Sequence, residues 1–477
     1  MKSFNVHDAI VVGSGPNGLS AAIHLARSGL GVHVIEAKKT IGGATRSEEL
    51  TLSGYIHDVF SAVHPLALSS PFFSQLNLET QGVNWINSPA AVAHPFDDGS
   101  VVLLDRSVNK TARQLGADGP AYTRLISPLV DSWPQLSRFL LGHHTVPENP
   151  WLMACFGLRA VRSANWLAQN LFADSRAKGF IAGLAAHSIL PLTKPISAAF
   201  ALVMAVSAHA VGWPLAAGGS QNIAAALANC LTRHGGIITT DTPLESISTL
   251  PKTRAVLFDV TPRQLLHFDA LRLPMHYRNQ LSRYSFGPGV CKLDWALDGP
   301  IPWKAPQCSQ AATVHIGGGL EEIARSEAQV WKGIHPEKPF VILCQPSLFD
   351  TGRAPEGQHT AWAYCHVPHG SPVDMSEQIT QQIERFAPGF KNRVLARHVI
   401  KANEFEDLNP NLIGGDISGG AQTFLQFFFR PTFRFDPYTI PVKGMYICSS
   451  STPPGAGVHG MCGYHAARSV LRNTFKK

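Results

Sequence analysis

The chain is poor in charge. Asp, Glu, Lys and Arg make up only 15% of its 477 residues, whereas a disordered chain stays unfolded by combining high charge with little apolar mass. Long runs of one sign are missing as well. Against 33 Asp plus Glu stand 40 Lys plus Arg, a net +7 spread along the chain. Without a basic stripe to track phosphates, no nucleic-acid partner is expected, and the mild excess favours acidic ligands or anionic lipid surfaces. Cysteine is sparse and unsuitably spaced. None of the eight, at 155, 230, 291, 308, 344, 365, 448 and 462, forms a C-x-x-C or C-x-x-x-x-C pair. That excludes a zinc ribbon and a redox-active disulfide loop, and reduced thiols suit a cytoplasmic setting. Residues 1–8 lack the basic and apolar regions of a secretory signal. No G-x-S-x-G elbow, H-E-x-x-H or P-loop lysine occurs. The 21 histidines, His143 and His144 among them, show no metal-ligand spacing, so no metal is expected.

What is present is apolar mass and glycine in particular places. The length of 477 residues allows about three domains, or two large ones, each with a core, and AVILMFWYC residues reach 45%. Ala9 to Val12 is a short apolar run, followed by Gly13-x-Gly15-x-x-Gly18 and a helical stretch, Leu19 to Ser28. Strand, glycine loop and helix in that order make a tight turn, let backbone approach a pyrophosphate, and offer helix N–H groups to it. Val32 to Ile35 reads as a second strand ending at Glu36, where a carboxylate can hold the hydroxyls of an unphosphorylated ribose. Shortly after come Gly42, Gly43, Ala44, Thr45 and Arg46. This segment resembles the glycine doublet that flavoproteins of the glutathione-reductase and amine-oxidase type place beside FAD.

The far end of the chain repeats the pattern. Gly444 to Cys448 reads as a strand, Ser449 to Tyr464 contains Gly455, Gly457, Gly460 and Gly463, and Ala466 to Arg472 reads as a helix. Together with His57 to Pro65, Trp213 to Gly219 and Asp259 to Arg263, these ends resemble the carotenoid and retinoid oxidoreductase family, the phytoene-desaturase-like flavoproteins. Within it they are most similar to the pyridine nucleotide-disulfide oxidoreductase domain-containing branch. The chain departs from the family pattern at Cys448-Ser-Ser-Ser, where relatives tend to have Cys-Gly-Ala-Ser, and at Ala456, which replaces a glycine.

The resemblance implies an α/β fold with an α+β substrate domain. A Rossmann-type FAD-binding domain would be assembled from residues 1–66, 212–265 and 436–477, and a partly helical substrate-binding domain from 67–211 and 266–435. It implies FAD held by Gly13, Ser14, Gly15, Pro16, Asn17, Gly18, Glu36 and Ala37 at one end. At the other it implies Gly42, Gly43, Ala44, Thr45, Arg46, Gly457, Val458, His459, Gly460 and Met461. Hydride would pass to flavin from a hydrophobic substrate (a polyene, isoprenoid, retinoid or other lipid-like molecule), with oxygen, a quinone or a protein as the electron acceptor. His459 is the first candidate for proton handling, a histidine bonding backbone inside a glycine loop being the plain alternative. Tyr464 and Arg430 are candidates for holding a polar substrate end, and Asp58 for supporting the flavin loop. A flavin-dependent isomerase or saturase would need the same site, and a non-catalytic lipid- or prenyl-binding module could share the fold. Peripheral membrane contact and a homo-oligomer are compatible with all of these.

In the middle, Ser220 is a fair N-cap for a helix over 221–234, stopped by Gly235 and Gly236 before a strand at 237–240. The largely apolar 16-residue run 196–211 falls short of the roughly 20 needed to cross a bilayer and is expected as a buried helix walling the substrate cavity. Trp151 to Phe172 suits a core helix or one lying on a membrane surface. Phe424, Phe427, Phe428, Phe429, Phe433 and Phe435 are expected to line an apolar tunnel or to pack in the core. Gly317 to Gly319 invites a second dinucleotide reading, which Glu322, standing where a third glycine belongs, argues against.

Overall fold

The computed structural model describes residues 7–142 and 147–477; His143 and His144 lie outside them. Ala9–Val12 is a fully buried strand that ends at Gly13, whose φ of +103° turns the chain back toward the sheet. Helix Pro16–Arg27 then starts with proline in its first turn and Gly15 as N-cap. Strand Val32–Ile35 returns parallel to the first. The same sheet takes three more strands from distant sequence: Ile237–Thr239 at one edge, and Ala255–Phe258 followed by Met445–Ile447 at the other. All of its pairings are parallel, so the sheet must be covered on both faces. Helix Met461–Val470 packs on helix Pro16–Arg27. Only glycine permits that contact at its closest point, because a Cβ on Gly463 would stand 1.8 Å from the Asn17 carbonyl oxygen. Both extremities of the chain are thereby brought to one glycine-lined edge.

A second sheet of seven strands orders Val394–Ile400, Gly289–Leu297, His359–Val367, Val341–Cys344, Ala311–Ile316, Ala90–Pro95 and Val101–Asp105. Its pairings are antiparallel except that between Ala311–Ile316 and Ala90–Pro95. Register places Ile342 beside Tyr364 and Tyr364 beside Lys292, so these three share a row across one face. Helices Ser175–Ala186 and Ser197–Ala210 pack against each other and join the core cluster that includes Ile342 and Trp362.

Helix Ser197–Ala210 occupies the long apolar run, mostly buried as expected, and no helix among the described residues is long and apolar enough to cross a membrane. Several expectations need correction. Trp151 to Phe172 forms two helices, Pro150–Ala160 and Ala164–Leu171, broken where Ser163 caps the second. Phe424, Phe428, Phe429, Phe433 and Phe435 neither line a tunnel nor fill the core; they are exposed, on and after the short helix Phe424–Phe428. Ser220 does not cap helix Gln221–Arg233 through its side chain, because its hydroxyl is committed to the Arg46 carbonyl at 3.2 Å.

Candidate active site

One cavity of about 640 Å3 runs from the glycine-lined edge of the parallel sheet to the inner face of the second sheet. Gly13, Ser14, Gly15, Pro16, Asn17, Glu36 and Ala37 line its first end, joined by Thr242, Leu244, Gln264 and Phe268. Here Glu36 is fixed by the loop it faces: its Oε2 accepts from the Ser14 amide at 2.8 Å and the Ser14 hydroxyl at 2.6 Å, and its Oε1 accepts from the Lys38 amide at 2.9 Å. Bare backbone makes the wall. A Cβ on Gly15 would come within 2.8 Å of Asp259 Oδ2, and one on Gly43 within 3.0 Å of the Gly15 Cα. Asp259, which ends strand Ala255–Phe258, lies beneath the loop and accepts from the Gly18 amide at 2.9 Å. Burial raises its carboxyl to about 7, the Gly18 bond opposes that rise, and Glu36 adds to it.

Farther along, Gly43, Ala44, Arg46, Ala456, Gly457 and Val458 border the cavity. Their loop is anchored from behind by Asp58, whose Oδ1 accepts from the Ser220 amide and the Ser47 hydroxyl, each at 2.7 Å. The fully buried Arg353 completes the anchor, with Nη1 3.2 Å from Asp58, a bond from Nε to Asp350 at 2.7 Å, and one from Nη2 to the Ala216 carbonyl at 3.2 Å. Arg46 donates to the Leu408 carbonyl at 3.4 Å and lies 5.4 Å from the Phe60 ring centre, so it both borders the cavity and braces the loop.

The far end of the cavity, here called the chamber, is walled by Leu66, Phe200, Met204, Trp213, Ile342 and Trp362. Two polar groups and one aromatic stack mark the lining. Lys292 is buried and donates from Nζ to both oxygens of Asp294, at 2.5 and 2.6 Å, while His57 Nδ1 lies 3.7 Å from the same carboxylate. Trp362 and Tyr364 stack with ring centres 5.8 Å apart and planes 5° from parallel. His187 borders the chamber and pairs Nε2 to Nε2 with His315 at 2.9 Å. Burial lowers the His187 pKa to about 3 and the His64 pKa to about 4, so both imidazoles are neutral at pH 7.

The sequence-based candidates divide accordingly. Gly18, Gly42 and Thr45 frame the loops from behind: Gly42 donates to the Ser14 carbonyl at 3.1 Å, and Thr45 returns its hydroxyl to the Gly42 carbonyl at 2.8 Å. His459, Gly460 and Met461 are likewise buried behind the cavity wall. His459 accepts the Met461 amide on Nδ1 at 3.0 Å, and its own carbonyl accepts the Ser70 hydroxyl at 2.6 Å. Burial drops its pKa to about 4. The imidazole therefore organises the turn into the last helix and does not reach the chamber, which corrects the proton-handling assignment. Tyr464 is corrected too, since it packs against His24 and Phe72, away from the chamber. Arg430, not among the cavity-lining residues, donates to Gln422 Oε1 at 2.9 Å and the Ser450 carbonyl at 3.2 Å, so its guanidinium holds wall residues in place. The Gly318 carbonyl is taken by His94 Nε2 at 2.8 Å, and Glu322 by Arg385 Nη1 at 2.6 Å, leaving Gly317 to Gly319 structural.

Sequence reasoning missed Lys292, Asp294, His64 and His187, and gave Asp259 no role. Two of these had a legible signal. Lys292 and Asp294 interrupt an otherwise apolar strand at positions facing the same side, and charged residues are rarely buried unless paired. Asp259 follows the carboxyl end of a parallel strand, where such sheets place their ligands.

The donor set fits FAD. Buried Asn17 Oδ1 and His64 Nε2, of two residues that line the cavity, lack protein partners, and the bare backbone of the glycine wall lets a pyrophosphate approach. The NAD(P)-binding Rossmann-like domain family matches residues 11–71. "Pyridine nucleotide-disulfide oxidoreductase domain-containing protein 2" of Rattus norvegicus is 25% identical, covering 98% of this chain and 94% of its own. "Phytoene desaturase (neurosporene-forming)" of Rhodobacter capsulatus is 24% identical over 95% of this chain and 92% of its own. Among solved structures, wild-type putrescine oxidase bound to putrescine superposes with a TM-score of 0.63 at 16% identity, covering 99% of each chain, a likeness of fold. The chain is thus an FAD-dependent oxidoreductase, similar over nearly its whole length to a pyridine nucleotide-disulfide oxidoreductase domain-containing protein and to a phytoene desaturase.

Proposed function

We propose that this oxidoreductase removes hydride from a long, largely apolar substrate, of polyene, isoprenoid, retinoid or lipid-like character. The observation that carries the reading is the continuity of one cavity, from the Gly13–Asn17 loop to the chamber walled by Phe200, Met204 and Trp213. Gly13 to Asn17 and Glu36 would hold the adenosine and phosphates of FAD, and Gly43, Ala44, Arg46, Gly457 and Val458 the ring end. When bound, the isoalloxazine supplies the acceptor for hydride. The chain's own residues bind, orient and keep water out. Trp362 and Tyr364 offer parallel flat faces to a planar conjugated segment. Lys292, held by Asp294, keeps a fixed positive charge at the chamber floor.

The residue groups also support a division of labour between the two sheets, with residues 1–66, 212–265 and 436–477 gripping the cofactor and the remainder the substrate. Oxygen or a quinone as terminal acceptor, and peripheral contact with a membrane, belong to the same reading. Anaerobic mixing of the oxidised holoenzyme with acyclic polyenes tests it: bleaching of the flavin with a product carrying one more double bond is the expected result. An isomerised product with unbleached flavin would replace dehydrogenation by isomerisation, and a failure of every apolar substrate while small amines bleach the flavin would overturn the substrate class.

A further inference from the structure

The phenylalanines after Gln422 are on the outside of the protein. Leu425 is 69% exposed, Phe433 75% and Phe435 90%, and Phe424, Phe428 and Phe429 are each close to half exposed. Apolar side chains clustered this densely on a surface mark a contact with something apolar. Phe427, in the same short helix, meets Phe200 with ring centres 6.3 Å apart, and Phe200 borders the chamber. The exposed aromatics therefore sit beside the chamber wall.

A second exposed apolar segment reaches the same place. The Val161 and Arg162 carbonyls accept from the Ile196 and Ala198 amides at 3.2 and 3.3 Å, which fixes the corner between helices Pro150–Ala160 and Ala164–Leu171 within about one helical turn of Phe200. Trp151 and Leu158, 77% and 68% exposed, lie on helix Pro150–Ala160, which runs into that corner and packs on helix Ser197–Ala210. The charge of both segments has one sign. Residues 149–173, 175–240 and 417–435 contain no Asp or Glu, and the acids that border them, Glu148, Asp174 and Asp436, are paired with Arg138, Arg176 and Arg472, whereas Arg159, Arg162 and Lys194 are exposed and Arg162 lies 4.8 Å over the Trp166 ring. Aromatic residues with basic neighbours, and with the bordering acids each paired to an arginine, match the boundary between anionic headgroups and acyl chains.

We propose that this face, made by 424–435 and the 151–166 corner, docks on an anionic phospholipid bilayer and sets the chamber wall at Phe200 against the membrane. The proposal extends the reading of an apolar substrate, which would then enter from the lipid, but the docking itself is measured without substrate. A failed turnover assay leaves it standing, and failed docking leaves the oxidoreductase assignment standing.

The test is co-sedimentation of the holoenzyme with vesicles of phosphatidylglycerol and phosphatidylcholine, and with phosphatidylcholine alone. Wild type is expected to pellet with the anionic vesicles, less with the neutral ones, and less at high salt. Leu425→Ser/Phe433→Ser/Phe435→Ser is expected to lower the partition coefficient by about tenfold or more with flavin content and melting unchanged, and Ile334→Ser, exposed elsewhere, to leave it alone. Should the triple variant fold poorly, Trp151→Ser/Leu158→Ser decides the matter from the other segment. Wild type remaining in the supernatant with anionic vesicles overturns the proposal, as does vesicle binding unaffected by these substitutions. A dimer that ignores vesicles and dissociates on the same substitutions also overturns it, making the face an interface between two copies of the chain.

Discussion

Asp259 accepts the Gly18 amide at 2.9 Å although 241 residues separate them in sequence. This bond ties the end of the third parallel strand to the first turn of the glycine-loop helix. Because burial lifts the Asp259 carboxyl from 3.8 to about 7, the native state keeps a proton over that interval that the unfolded chain has released. Stability of the apoprotein therefore falls as pH rises between these two values and levels off above the higher one. Asp259→Asn keeps an acceptor for Gly18 and removes the ionisation. Its apoprotein is expected to gain on wild type as pH rises, melting further above it at pH 8 than at pH 5 by about 1–3 °C. Equal gains at the two pH values, measured by thermal melts, would show that the carboxylate is not penalised by its surroundings.

The glycine wall predicts loss of cofactor by simple steric filling. Gly15→Val places branches beyond a Cβ already 2.8 Å from Asp259 Oδ2, and Gly43→Ala adds a Cβ 3.0 Å from the Gly15 Cα at a φ of +57°. Gly15→Val should purify nearly colourless, with Gly43→Ala intermediate, while both keep wild-type far-UV circular dichroism. A full complement of flavin in Gly15→Val would mean that the cofactor lies elsewhere.

Arg353 predicts stability. Its guanidinium answers Asp58 and Asp350 in a dry interior, so Arg353→Met leaves buried carboxylates without a counter-charge. The expected cost is about 3–5 kcal/mol in urea unfolding, with faster release of flavin because Asp58 anchors the loop. A cost under about 1 kcal/mol would place the pair among the weak ion pairs of protein surfaces.

Lys292 and His459 are expected to part company in kinetics. Lys292→Met removes the charge at the chamber floor and should lower kcat/KM by at least about tenfold; adding Asp294→Leu should restore stability without restoring turnover. His459→Asn should lower the melting temperature yet keep most of kcat, because that imidazole bonds the Met461 amide from behind the wall. With its pKa near 4, it also contributes no inflection to the rate between pH 5.5 and 8. The opposite ranking of the two variants would return proton handling to His459.

How far the site was legible in sequence varies with how local each constraint is. Gly13, Gly15, Gly18 and Glu36 announce themselves because a tight turn, a phosphate approach and a strand-end acid are separated by fixed short spacings. The partners that complete them are remote: Asp259 under the loop, Arg353 behind Asp58, and Lys292 two strands from Ile342. Pairings of that kind depend on register between strands far apart in the chain, and no periodicity encodes it. His459 shows the reverse error, since a reactive side chain beside a functional loop can point inward, and orientation is settled by packing. The phenylalanines from 424 to 435 show it again, for apolar character alone does not tell a buried position from an exposed one.

By itself the amino-acid sequence determined the strand, glycine loop and helix at the first end, their echo at the last, the buried helix over 197–210, and the absence of disulfide and zinc spacings, because each of these is a property of neighbouring residues. Only the tertiary structure decided that the two ends meet through Gly463 against Asn17, that Asp259 and Lys292 face the cavity while His459 does not, and that the aromatic cluster faces outward. Those outcomes are set by which surfaces exclude water together, a condition on the whole chain and not on any one segment of it.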